Sequence, residues 1–423
     1  MKHTLSLLLI AYAILFNSCS NSNNNGDNTA INIEAVIGTG AIYNASYFIK
    51  DIKYIPLETI SNSMVSGIKK VFVENEKIYV WDDKNIINVF DITGRHLNTL
   101  NRVGRGPEEY TDIADLNIEE SGNIYVLSPN NRIIEYDNNL KFIRKLEFET
   151  NANFSDFILL GNGLFASNTT ESNTEFGTNE QSWIIYDYHD SLRINFAYSS
   201  ERTMSSFTGG TGINQSPVFF TRLYPFRHYK HNNDLIIYKQ RINDTIFNIE
   251  LENNYLKSAR YIFNYGKYTF LEEMESSIDG APDDLNAISL SSLLETNNYL
   301  FLDFDFRGLA PEPFEVERNY MVINGRRIAI REEIGTKVYA IYDKNKREII
   351  LLNQPSPRTL GLKDDIIYGA IFWPKSTTKN QELISWYNAL DLVMLAEEGK
   401  IDQSVIGNLK EDDNPVIVIA TPK

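Results

Sequence analysis

Ile78-Tyr79-Val80 and Phe90-Asp91 recur downstream as Ile124-Tyr125-Val126 and Tyr136-Asp137. Both pairs are offset by 46 residues (124 − 78 and 136 − 90), so the two stretches align without a gap. The surroundings repeat as well: a buried-type strand (68–73; 113–118), a second strand, a polar turn, a third strand ending aromatic-Asp, and a fourth after Gly94 or Asn139. Four short strands at this period, rich in β-branched and aromatic residues, describe one blade of a β-propeller. A sandwich or a β-helix does not repeat four strands at this spacing. The expected fold is all-β.

Outward from these copies the pattern loosens but persists. A third copy uses 157–160, 163–167 and Trp183-Ile184-Ile185-Tyr186-Asp187, with a polar loop read over 169–181. A fourth uses Leu235-Ile236-Ile237-Tyr238 and 244–249. A fifth uses Tyr299-Leu300-Phe301-Leu302, 320–323, 327–331 and 338–343, with Asn324-Gly325 as a hairpin turn. Between the third and fourth, residues 205–216 are glycine-rich and are predicted to be mobile. Two helical insertions are predicted: short helices over 269–297, and a helix over 379–397 with Leu383, Trp386, Leu390 and Met394 on its core face. The last segment holds too few strands for a whole blade. The early strand 47–57 supplies the missing one, so the two ends of the chain pair, complete a sixth blade and close the ring.

Composition sets the partners aside that need a basic surface. The chain has 423 residues, 43% hydrophobic, with a net charge of −16, which argues against nucleic acid and anionic membrane as partners. Lys2, an apolar run over 5–16 and then Cys19 read as a secretory signal (1–18) with a lipidated cysteine; Phe16 and Asn17 depart from the usual lipobox. Cys19 is the single cysteine, so no intramolecular disulfide forms. Residues 19–40 are expected to be lipidated Cys and flexible tether, 41–423 the propeller, and membrane contact is expected through the lipid alone.

In a propeller, the turns from fourth strand to next first strand and from second to third strand open on one face. The stretch Val103-Gly104-Arg105-Gly106-Pro107-Glu108-Glu109-Tyr110 is a turn of the first kind; 82–85, 128–132 and 241–244 are of the second. Asp82, Arg105, Glu108, Tyr110, Arg132, Arg241 and Asp244 are therefore the candidate ligand-binding residues, the arginines as forks for a carboxylate or sulfate. The plain alternative is a set of solvated turn residues and salt bridges between blades. Catalytic signals are thin: no Gly-x-Ser-x-Gly is present, and His228-x-x-His231 has the wrong spacing for two zinc ligands on one strand face. A calcium ion is possible as a cofactor because oxygen ligands from several loops leave no spacing pattern.

Several marks together resemble a known family: Ile55-Pro56-Leu57-Glu58, Gly104 to Tyr110, Asn243-Asp244-Thr245-Ile246-Phe247, Leu362-Lys363-Asp364-Asp365-Ile366, Phe372-Trp373-Pro374 and Asp412-Asp413-Asn414-Pro415-Val416. The chain is similar to the six-bladed propeller lipoproteins of Bacteroidota, NHL-like or TolB-like in fold. Glu108 stands where that family usually has a second glycine. The resemblance implies six blades and an outer-membrane lipoprotein, periplasmic or surface-facing. Family and compartment together point to an oligosaccharide or peptide as ligand, and the thin catalytic signals to binding it at the channel mouth without turnover. The rival readings are a calcium-dependent lactonase or lyase, as in other six-bladed relatives, and a structural component of an outer-membrane complex with an envelope protein as partner.

Overall fold

The computed structural model describes residues 30–148, 152–173, 178–187, 191–198, 204–207, 218–221, 226–231, 234–239, 244–251, 256–269, 286–309, 314–323, 326–334, 336–352 and 361–423. Six sheets of antiparallel strands follow one another as blades of a ring. Blade 1 is Ile68–Glu74, Lys77–Asp82, Ile87–Asp91 and His96–Leu100. Blade 2 is Asp115–Ile118, Ile124–Ser128, Arg132–Tyr136 and Phe142–Glu147. Blade 3 is Ala152–Gly161, Leu164–Asn173, Thr178–Asp187 and Ser191–Tyr198. Blade 4 is Phe226–His231, Asp234–Lys239, Thr245–Glu250 and Leu256–Asn264. Blade 5 is Ser289–Glu295, Tyr299–Asp305, Lys337–Asp343 and Glu348–Leu351. Blade 6 is Ser376–Thr377, Leu383–Tyr387, Val416–Pro422 and, from the other end of the chain, Ile49–Pro56.

The repeat has a physical meaning in each blade. Ile78, Val80, Phe90 and their counterparts Ile124, Val126, Tyr136 are fully buried between sheets. The aspartate after the aromatic residue folds the next turn: Asp91 accepts from the amides of Thr93 (2.9 Å) and Arg95 (3.1 Å), and Asp137 from those of Asn139 and Lys141 (both 2.8 Å). Asp343 does the same for Asn345 and Lys346 in blade 5. An aromatic residue anchors the strand and the Asx turn starts its return, so the pair marks the end of a third strand.

Closure occurs as the strand count requires. Ile49–Pro56 pairs antiparallel with Val416–Pro422, with Ile52 opposite Ala420 and Ile55 opposite Ile417. The buried Asn414 side chain secures the join, accepting from Val65 N (2.9 Å) and donating to the carbonyls of Glu58 and Ser63 (both 2.8 Å). Gly94 (φ 89°) lies so close to Pro56 that a Cβ there would strike its carbonyl oxygen.

Residues 30–40, expected to be part of a flexible tether, are built into the ring. Ala30–Asn32 pairs in parallel with the outer strand of blade 4, and Ile31 and Ile33 are buried in the core between blades 4 and 5. Ala41 then bridges to Leu352 at the outer strand of blade 5. The amino-terminal segment is thus a belt across the outer edges of three successive blades.

Other expectations change. Residues 383–387 are a strand, and the helix is only Ala389–Glu397, with Ala389, Leu392 and Val393 buried. The apolar spacing from Leu383 to Met394 spans a strand-to-helix junction and cannot mark it. Leu293 and Leu294, expected in a short helix, lie in strand Ser289–Glu295, while 270–285 fall outside the described residues. The expected polar loop over 169–181 is mostly a long hairpin arm of blade 3. Residues 314–323 and 326–334 form a separate hairpin inserted into blade 5, not strands of it; Asn324 and Gly325 lie outside the described residues, but Ile323 pairs with Arg326 across them. Of 205–216, 205–207 are strand and the remainder lies outside the described residues.

Candidate functional site

The turn before blade 2 is held from inside the protein. Tyr110 is fully buried, its hydroxyl donates to the Asn85 carbonyl (3.0 Å), and burial pushes its pKa up to about 12. Its backbone pairs with Arg102 and Gly104 (both 3.0 Å). Glu109 folds back so that its carboxylate accepts from Gly106 N (2.7 Å), filling the space that a Cβ on Gly104 would need. Tyr136 donates to the Glu108 carbonyl (2.7 Å). This clamps the backbone at both ends and leaves Arg105 and the Glu108 side chain exposed. Among the described residues Arg105 makes no hydrogen bond or ion pair.

Asp82 lies inside its turn. It is fully buried, with Oδ1 accepting from Lys84 N (3.0 Å) and Ile86 N (2.9 Å) and Oδ2 from Ser66 Oγ (3.1 Å). Asn85, which the sequence reading passed over, joins the two loops: its side chain accepts from Lys69 (3.0 Å) and Trp81 (3.3 Å) and donates to Asp112 (2.7 Å). Asn131, one repeat later, also takes a left-handed backbone and accepts from Phe154 N (2.9 Å), tying blade 2 to blade 3. The 46-residue offset pairs these two asparagines, and that was the available signal. Arg132 is half-buried and donates to the Pro129 carbonyl (3.2 Å); Asp244 is exposed and accepts from Thr245 Oγ1 (2.8 Å). Arg241 lies outside the described residues. Asp82 and Tyr110 are brought together, close enough for the Asp82 charge to act on the Tyr110 hydroxyl; among the described residues no contact joins Arg105, Arg132 and Asp244.

A dense polar cluster lies elsewhere, between blades 4 and 5. Glu295 is buried and accepts from Arg260 (Nη2 2.8 Å, Nε 3.0 Å), Tyr229 (2.6 Å), Tyr261 (2.9 Å) and Lys344. Burial alone would raise its pKa, but the Arg260 hydrogen bonds and the Lys344 charge outweigh it and hold the carboxyl at about 2. His231 sits 3.8 Å away, and burial lowers its pKa against the opposing Glu295 charge. Every Glu295 lone pair is engaged, which makes the cluster a clamp between blades with no acceptor left for a substrate.

Asp303 behaves in the opposite way. It accepts from Trp373 Nε1 (2.8 Å), whose ring stacks on Tyr339 at 4.4 Å, and burial raises its pKa to about 6 against the opposing Trp373 bond and Lys337 charge. A raised carboxyl pKa means stability that is full below the unfolded value near 4 and falls as pH rises through about 6. Asp303→Asn, which keeps the acceptor for Trp373, should therefore raise the melting midpoint at pH 7.5 by an amount worth on the order of 1–2 kcal/mol, the carboxylate being half-buried. The gain should vanish near pH 4; a gain equal at both pH values would show that ionisation is not the cause.

Among the described residues, no three His, Cys, Asp or Glu side chains converge as metal ligands, and no helix is long and apolar enough to cross a membrane. No curated protein matches the chain. A Bacteroides fragilis NCTC 9343 protein named for its expected export has a similar structure, with TM-score 0.61, 14% identity, and 93% of this chain and 99% of that one covered. A Bacteroides caccae protein (TM-score 0.30, 14% identity, 55% and 68% covered) and BamB from Moraxella catarrhalis (0.27, 7%, 55% and 68%) are more remote. At these identities the first likeness speaks to fold alone, in agreement with the six blades. Residues 28–421, the whole ring with its amino-terminal belt, match one family throughout, and the chain belongs to the family described as Domain of unknown function (DUF4934).

Proposed function

We propose that this protein is an exported, lipid-anchored propeller that binds an oligosaccharide or peptide on the face carrying the 103–110 turn, without turning it over. The observation that carries the reading is the contrast within that turn. Tyr110, Glu109 and Gly106 fix a backbone far more firmly than a connection needs, yet Arg105 projects from it without a described partner. A guanidinium on a rigid mount is prepared for a carboxylate or sulfate and loses little entropy on binding. Export and anchoring at the outer membrane through Cys19 are supported by the signal-like start, and the similar Bacteroides fragilis protein is itself named for expected export.

The test is thermal melting of the chain from residue 20, which keeps every described element, against uronic-acid and neutral oligosaccharides and acidic and neutral tripeptides. An acidic probe should raise the midpoint, and Arg105→Ala should weaken its binding about tenfold to a hundredfold, the worth of a charge-assisted hydrogen bond. A shift that survives Arg105→Ala would place the site elsewhere. A shift from calcium alone, followed by lactone turnover, would favour the enzyme, and silence across all probes would favour an envelope protein as partner.

A further inference from the structure

A cavity of about 400 Å³ opens on the outer circumference between blades 5 and 6, lined by Ile42, Lys363, Tyr368, Ile371, Leu395 and Ile401, with Lys400 beside them. Three separate parts of the chain build it: the amino-terminal belt, the link from blade 5 to blade 6, and the helical insertion. Its volume is within the range of small-molecule sites, about 300–1,000 Å³, and its side-chain lining is mainly apolar.

Three charged residues line it, and two of them are already engaged. Asp364 is the single acid in the lining, and it is buried and spent on its own turn: Oδ1 accepts from Ile366 N (3.0 Å) and Ile367 N (3.1 Å), Oδ2 from Gly369 N (3.1 Å). Lys400 pairs with Glu398 (2.8 Å). Lys363 is exposed, and among the described residues its ammonium has no hydrogen bond or ion pair. Among the described lining residues, Lys363 is thus the charge that the fold itself leaves without a partner beside an apolar hollow.

Tyr368 completes the arrangement. Its backbone has φ 57°, uncommon for a side chain of this size, and is held there by the Asp364 turn and by Asp402 N, which donates to its carbonyl (2.9 Å). The ring remains 65% exposed at the cavity. Ile42 and Ile371 are also partly exposed, at 39% and 38%.

We propose that this cavity is a second binding site, independent of the Arg105 face, for a small amphipathic carboxylate. The apolar body rests on Ile42, Ile371, Leu395 and Ile401 beside the Tyr368 ring, and the carboxylate meets Lys363. A neutral apolar ligand would leave the lysine unused, and an acidic one without an apolar body would leave the hollow wet.

The experiment is calorimetric titration of the chain from residue 20 with 4-phenylbutyrate and with its neutral amide. The anion should bind saturably. Lys363→Gln should weaken it about tenfold or more while leaving the amide unchanged. Ile371→Asp, which places a like charge at the cavity, should abolish anion binding, and Arg105→Ala should have no effect on it. Both altered lining residues are exposed enough that the fold survives, which a melting curve verifies. Three results would overturn the proposal: no saturation by the anion, equal affinity of wild type and Lys363→Gln for it, or a wild-type dimer in sedimentation that Ile371→Asp dissociates, which would assign the hollow to a second copy of this chain.

Discussion

Replacing Glu295 by Ala is expected to cost about 3–5 kcal/mol of folding stability, because it leaves Arg260 and Lys344 as unpaired buried cations. Their side chains are only 19% and 16% exposed, and neither can turn to water without opening the contact between blades 4 and 5. For a chain of this size the loss corresponds to a midpoint lower by roughly 4–6 °C. The pH dependence gives a second readout. A carboxyl held at about 2 against an ordinary value near 4.5 contributes stability that is fully present above pH 4.5 and is lost as pH falls toward 2. Wild type and Glu295→Ala should therefore converge over that interval and remain apart at neutral pH. Removing the charges together should be less harmful than removing one, so Glu295→Leu combined with Arg260→Met and Lys344→Met should recover much of the midpoint. Equal midpoints for wild type and Glu295→Ala at pH 7 would mean that the blades are held by apolar packing alone.

A chain that begins at residue 58 is expected not to fold. It lacks the outer strand of blade 6 and with it the buried side chains of Ile49, Ile52, Ile55 and Leu57. Each is worth about 1.5–3 kcal/mol of burial, so their sum approaches or exceeds a typical net stability of about 5–15 kcal/mol. The loss also leaves Val416–Pro422 as an open edge inviting association. A chain that begins at residue 43 keeps the closing strand and loses only the belt across blades 4 and 5, including the buried Ile31 and Ile33. It should fold and melt at a lower temperature than the chain from residue 20. Circular dichroism melts and gel filtration of the three chains check the order. Similar cooperative melting of the chain from residue 58 would show that the ring does not depend on pairing its ends.

Much of this architecture is legible along the chain. The gapless 46-residue repeat identifies the blade, because burial alternates with a short period and each aromatic-Asp pair serves a turn a few residues away. The shortage of strands at the carboxyl end, set against an unpaired strand near the start, identifies ring closure, which Ile49–Pro56 and Val416–Pro422 carry out. Counting strands likewise puts the glycine turn at 103–110 between the fourth strand of blade 1 and the first of blade 2, where it lies.

What the side chains do there was a tertiary matter. Asp82 and Arg105 look alike as charged turn residues in sequence, but backbone amides consume the first and the second stays exposed. Glu295 falls in a stretch whose sequence reads as short helices; its partners Tyr261, Arg260, Lys344 and Tyr229 are 34, 35, 49 and 66 residues away and meet it only where two blades pack. The cavity beside Lys363 is farther still from any local pattern, since belt, link and helix reach it from distant parts of the chain. Strand periodicity and turn chemistry act between near neighbours, so the sequence by itself determined the blades and their closure. Desolvation and charge pairing act through space between segments that only the closed ring brings together, and so the tertiary structure alone decided which charges are buried, which are paired and which are free.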